Sequence, residues 1–300
     1  MEAQNKKKTA LVLASGGARG IAHIGVIEEL EKRGYEITSV SGSSIGSVIG
    51  GIYTSGNLSA FKEWLLKLDK IEVFNMMDFT LGRRGFIKGD RFFRALECFV
   101  KDKMIEDLHI PFAAVATDFI NKKQYVFDKG SLILAIRGSV AIPTVITPLE
   151  FNQTIMIDGG VINPMPVDAV KRTEGDILTI VDINANKPYC KPAFTPAVIP
   201  QKRFSFRTAL AELLEGSGSS APVPKDNQSI GYLDIVNKSF DMMQEQIIAL
   251  TVDKYKPEIH VSISRDSAST FEFYKAEELI ETGRQALIAA LEENENLNLT

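Results

Sequence analysis

The amino-acid sequence predicts an α/β protein with a mainly parallel central sheet and helices on both faces. Three observations point there. Short apolar runs alternate with amphipathic helical patterns, a glycine loop directly follows the first run, and a serine set between two glycines follows the second. Alternation of this kind links parallel strands through helical crossovers that cover both faces of the sheet.

"KTALVLA" (8–14) is apolar almost throughout, as a strand buried on both faces requires. The glycine loop "SGGARG" (15–20) comes next, then a helix over Ile21–Arg33. In that helix Ile24, Ile27 and Leu30 share a face, Glu28, Glu29 and Lys32 are polar, and Gly34 stands at the stop position. "ITSVS" (37–41) predicts a second strand that runs through the serine turn into an apolar helix from Ile45 to Thr54. Helical patterns at 59–68 and 90–100 bracket an irregular stretch, 74–89, rich in exposed-looking apolar residues. Strands are expected at 112–119 and 123–128, a helix at 131–139, a strand at 154–157 ending in "DGG" (158–160), and a central strand at 176–184. Residues 188–224 hold six of the twelve prolines together with "GSGSSAPVP", which predicts a long surface excursion. Within it, 203–216 has the spacing of a short amphipathic helix. A helix at 230–253, a strand at 258–264 and a helix at 275–293 close the chain. The expected organisation is one core over 8–185, a Pro/Ser-rich excursion over 186–229, and a helical extension over 230–300 packed on that core.

Composition narrows the function classes. The chain has 300 residues, 45% of them hydrophobic, and a formal net charge of −4. A dedicated nucleic-acid binder is expected to carry a basic excess, and the only basic run is Lys6-Lys7-Lys8. Cys98 and Cys190 form neither a disulfide framework nor a zinc cluster. The apolar run near the N-terminus is too short for a signal peptide, and no window of 18 uninterrupted apolar residues occurs. A soluble cytoplasmic protein without nucleic-acid partners is expected.

The chemistry centres on "GSSIG" (42–46). A Gly-x-Ser-x-Gly pattern is common by chance, but here a strand precedes Ser44 and a helix follows, as a nucleophile elbow requires. Gly42 and Gly46 remove Cβ atoms from a tight strand-to-helix turn. A serine hydroxyl needs a base. Of the three histidines, His260 would give a Ser–Asp–His order, but the alternation of Ile259, Val261 and Ile263 turns it to the opposite face. His23 and His109 read equally well as structural residues. Asp158 ends an apolar strand and opens a glycine turn with Gly159 and Gly160, at the sheet edge where open α/β proteins place their sites. Taken alone, it also reads as an ordinary Asp-Gly turn. The loop "SGGARG" lacks the Gly-x-Gly-x-x-Gly spacing of a dinucleotide site and a Walker lysine. Beside nucleotide binding, the alternative role is an oxyanion hole of the backbone N–H groups of Gly17, Ala18 and Arg19, each worth about 2.7–4 kcal/mol in a transition state.

Together, "SGGARGIAHIGVIEELEKRG", "GSSIG" and "DGG", with "IPFAAVATDF", "AIRGSVAIPTVITPLE" and "DGGVINPMPV", resemble the patatin-like phospholipase family, in order over about residues 8–185. The resemblance is nearest to bacterial patatin-like esterases related to neuropathy target esterase. It implies a Ser–Asp dyad, with Ser44 as nucleophile and Asp158 as base. It also implies an oxyanion loop of Gly16, Gly17, Ala18, Arg19 and Gly20, and neither metal nor cofactor. Ser15 departs from the glycine that usually opens this loop. The implied substrates are phospholipids, lysophospholipids or other acyl esters, with 74–89 and 203–216 as candidate cover for an apolar site or peripheral membrane contact. A catalytically silent lipid-binding protein of the same fold is the alternative.

Overall fold

The computed structural model describes residues 7–76, 79–82, 85–87, 89–143, 145–193 and 232–297. In chain order it contains β1 (Lys7–Leu13), α1 (Ala22–Lys32), β2 (Tyr35–Ser43), α2 (Ile45–Thr54), α3 (Leu58–Lys67), α4 (Lys70–Met76), β3 (Phe79–Gly82), β4 (Gly85–Ile87) and α5 (Asp90–Val100). There follow β5 (Phe112–Asp118), β6 (Lys123–Phe127), α6 (Leu132–Ser139), β7 (Leu149–Phe151), β8 (Thr154–Asp158), β9 (Ile177–Ala185), α7 (Tyr232–Tyr255), β10 (Ile259–Ser264) and α8 (Ala276–Leu297).

Eight strands form one mixed sheet in the order β10-β9-β1-β2-β5-β8-β7, with β6 also on β5. The five strands from β10 to β5 run parallel, β6 and β8 pair antiparallel with β5, and β7 pairs antiparallel with β8. The buried strands read as apolar runs: Ala10 to Leu13 of β1 and Ala113 to Ala116 of β5 are each at most 5% exposed. The connections β1-α1-β2 and β2-α2…β5 advance one way along the sheet, and β9-α7-β10 advances the other. Crossovers between parallel strands are right-handed as a rule, which puts α7 on the face opposite α1 and α2. α8 returns to pack along α1.

Three elements differ from the sequence reading. β2 is longer than its apolar run, because it pairs with β1 from Lys7↔Tyr35 to Leu13↔Gly42. The stretch expected to be irregular contains α4 and the β3–β4 pair. The chain beyond 230 supplies an edge strand of the central sheet as well as helices, so it is built into the same core. The amphipathic pattern at 203–216 and most of the Pro-rich excursion lie outside the described residues.

β5 organises the rest. One of its edges pairs with β6 over Ala114–Asp118. A strand has only two edges, so β2 and β8 must share the other. β2 pairs up to Ser43↔Val115, and β8 begins its pairing at Asp158↔Ala116. β2 runs parallel to β5 and β8 antiparallel, so their C-terminal ends meet head-on over two consecutive residues of β5, whose Cα atoms lie about 3.8 Å apart.

Candidate active site

This meeting point brings together residues 114 positions apart. The turn after β2 places Ser44 at φ 52°, ψ −123°, outside the ordinary regions for a non-glycine residue. Such a conformation costs on the order of 1–3 kcal/mol and persists only where its surroundings enforce it. Here they do: a Cβ on Gly46 would run into the carbonyl of Leu13, and one on Gly42 into the backbone of Gly46. The Ser44 N–H donates to Ser139 Oγ at 2.9 Å, and Ser139 Oγ donates to the Val115 carbonyl at 2.5 Å. Ser139, at the end of α6, is thus a brace that the sequence reading missed, although it lies within the "AIRGSVAIP" block.

Ser44 Oγ donates to Asp158 Oδ2 at 2.5 Å, and the Gly160 N–H donates to Oδ1 at 2.7 Å. Gly159 and Gly160 begin the 3-10 turn that follows Asp158. The Asp158 main chain is held on both sides, its N–H by the Ala141 carbonyl and its carbonyl by Thr117 Oγ1, each at 2.9 Å. The residue is 3% exposed. Burial raises its pKa from 3.8 to about 6, against the opposing pull of the Ser44 and Gly160 hydrogen bonds.

The glycine loop packs on the elbow from the neighbouring strand, with Gly16 at φ 154° and Gly17 at φ 61° before a 3-10 turn over Gly17–Ile21. Gly17 lines a cavity beside Ser44. The Ala18 N–H donates to the Thr270 carbonyl at 2.9 Å, so this amide, expected as an oxyanion donor, is already committed. Arg19 points toward the C-terminal segment: its guanidinium donates to Asn184 Oδ1 at 2.9 Å and to the carbonyls of Ala268 and Arg265. These bonds brace the loop against the C-terminal segment. Gly20 lies against Ile45 at the start of α2.

The cavity beyond Ser44 has a volume of about 90 Å³ and a nearly all-apolar wall that includes Ile45, Val48, Trp64, Leu65, Phe92 and Phe273. Among the described residues, no lysine or arginine lines it. Such an apolar wall accommodates hydrocarbon.

None of the histidines is hydrogen-bonded to Ser44 or Asp158. His23 Nε2 lies 3.0 Å from the Ala14 carbonyl, and burial lowers the imidazole pKa to about 4. His109 is exposed in the loop that precedes the N-terminal end of β5. His260 sits on β10, three strands from β2, which is about 14 Å at normal strand spacing. Among the described residues there is no cluster of His, Cys, Asp and Glu that would hold a metal ion, and no helix long and apolar enough to cross a membrane.

The fold and site define an α/β protein whose elbow serine is bonded to a buried carboxylate at the wall of an apolar cavity. The chain belongs to the patatin-like phospholipase family, whose sequence model matches residues 11–171. It is 29% identical over 329 residues to an uncharacterized NTE family protein of Mycobacterium tuberculosis (strain ATCC 25618 / H37Rv), covering 95% of this chain and 91% of that one. It is 32% identical over 183 residues to patatin-like phospholipase domain-containing protein 6 of Mus musculus, covering 59% of this chain and 13% of that protein. Among solved structures, VipD from Legionella pneumophila aligns with a TM-score of 0.46 at 12% identity, covering 96% of this chain and 67% of that one.

Proposed function

We propose that the chain is a serine acyl hydrolase of lipid esters, of the phospholipase A or lysophospholipase type, working with a Ser44–Asp158 dyad. The observation that carries this reading is the 2.5 Å contact from Ser44 Oγ to Asp158 Oδ2 beside an apolar cavity. Asp158 accepts the Ser44 proton as Oγ attacks the ester carbonyl. The carbonyl oxygen becomes an oxyanion held by amides of the glycine loop, with Gly16 and Gly17 as donors because Ala18 is committed. Collapse of the tetrahedral intermediate breaks the ester C–O bond, and the leaving alcohol takes the proton from Asp158. Water then gives a proton to Asp158 and attacks the acyl-serine; collapse releases the fatty acid and returns the proton to Ser44. The residues in hand supply every proton transfer, and the acyl chain occupies the apolar cavity.

The raised pKa of Asp158 suits this role, since a base is most effective near the working pH. A base must be ionised, so kcat/KM is expected to fall below about pH 6 and to reach a plateau above it, following the Asp158 value of about 6. A profile measured from pH 4 to 9 on a chromogenic ester checks this; a rate flat down to pH 4 would exclude Asp158 as the base. Activity is expected to survive replacement of His23, His109 or His260.

The direct test is a fluorophosphonate, which adds to an activated serine with loss of fluoride. Intact-mass analysis is expected to show one adduct, mapped to Ser44 and absent in Ser44→Ala. A folded protein that takes no label would instead support the silent lipid-binding alternative, and a label at another serine would remove Ser44 from the mechanism.

A further inference from the structure

α7 reaches the site through one side chain. Gln244 is 4% exposed, and its Nε2 donates both to the Gly160 carbonyl at 3.0 Å and to Ser15 Oγ at 3.1 Å. The first acceptor belongs to the turn that carries Asp158, and the second opens the glycine loop. Ser15 uses its main chain elsewhere: its N–H donates to the Pro164 carbonyl at 2.9 Å, and its carbonyl accepts from Asn184 Nδ2 at 2.7 Å. The hydroxyl, which a glycine at this position would lack, is what the loop offers to α7.

Gly160 is the joint in this arrangement. Its N–H holds Asp158 Oδ1 at 2.7 Å while its carbonyl accepts from Gln244. Without a Cβ the residue has wide freedom in φ and ψ, so both of its peptides must be held for the turn to keep one conformation. A Cβ on Gly160 would also meet Ser15 Oγ at 2.7 Å, so the two motifs are in contact beneath the same amide.

We infer that Gln244 is a positioning residue for the proposed hydrolysis: it ties the Asp158 turn and the glycine loop to α7 and keeps the Gly160 N–H on Asp158. Through this link, Oδ1 is occupied and Oδ2 stays directed at Ser44. The inference rests on the dyad reading above, but its failure is distinguishable from failure of that reading.

Gln244→Met keeps the side-chain length and removes the donor. Its kcat is expected to fall about ten-fold with KM changed by less than about two-fold, because orientation rather than binding is lost. The acid limb of the pH profile is expected to move upward, because a hydrogen bond that favours the ionised carboxylate is weakened. Ser15→Gly removes only the loop acceptor, so it is expected to lower kcat less and to leave the acid limb in place. A purely structural role would lower the unfolding temperature without moving that limb. If Gln244→Met does not fold, Gln244→Leu, which also lacks the donor and adds no charge, is expected to shift the limb in the same direction.

Titration of Asp158 by NMR on carboxyl-labelled aspartate reads the link without any turnover. A wild-type Asp158 titration in Gln244→Met overturns the inference whatever the ester assay shows. Full hydrolysis in Ser44→Ala overturns the dyad reading instead.

Discussion

Asp158→Asn is expected to lower kcat for ester hydrolysis about 10³-fold or more without loss of the fold. The amide has the shape of the carboxylate, so its oxygen can still accept the Gly160 N–H. Its Nδ2–H then donates to Ser44 Oγ where Asp158 now accepts at 2.5 Å, and the serine proton has nowhere to go. Ser44→Ala is expected to be at least as inactive, and the double variant no worse than Ser44→Ala, since residues acting as a unit are not additive. Residual Asp158→Asn activity near the wild-type level would remove the carboxylate from the mechanism. The same substitution has a stability signature. The Asp158 pKa rises from 3.8 to about 6 on folding, so the native state binds the proton more tightly than the unfolded chain. Stability from this group is therefore lost as pH rises from about 4 to 6, and at neutral pH it disfavours the fold by about 3 kcal/mol. Asp158→Asn escapes this cost. It is expected to melt above the wild type at pH 8, with the gap closing toward pH 4.

Gly283→Ala is expected to destabilise the chain by about 3 kcal/mol, or to prevent folding, because it forces two helix backbones apart. A Cβ at Gly283 in α8 would run into the carbonyl of Ala22 in α1, and one at Gly25 in α1 into the carbonyl of Ile280 in α8. The glycines are reciprocal: each helix gives up a side chain so that the other's main chain can touch it. Neither obstruction is the tip of a flexible side chain, so relaxation requires one helix to move. Thermal unfolding is expected to shift downward on the order of 5–10 °C in Gly283→Ala, and similarly in Gly25→Ala. An unchanged midpoint in both would mean that the helices pack less closely than described. Because α8 sits far from Ser44 in sequence, such a loss would also show that the last segment is part of the core.

Most strands and helices were legible because each is written locally. β1, β5 and β9 are continuous apolar runs, and α2 and α5 start and stop where their patterns do. The two motifs were legible for the same reason, each being a strand, a turn and a reactive side chain in a row. Their meeting was implied only by the family resemblance: Ser44 and Asp158 come together through pairings to Val115 and Ala116, which leave no mark in either motif. The commitment of Ala18 to Thr270 and the brace from Ser139 are likewise long-range hydrogen bonds, made by residue types that occur everywhere. Gln244 was hidden for a further reason: a polar residue inside a helical pattern reads as a solvated position, and only the fold shows it turned inward. Of the strands beyond β5 on that side of the sheet, β6 and β8 were expected, and the three-residue β7 escaped the sequence reading because it is too short to produce a period.

The head-on ends of β2 and β8 carry one more implication. The gap between the ends that carry Ser44 and Asp158 is spanned by a single peptide unit of a third strand, so covalent geometry sets the reach instead of the sizes of surrounding side chains. The segments joining these strands can therefore vary in length, and the apolar cavity above them in shape, without changing the spacing between the two side chains.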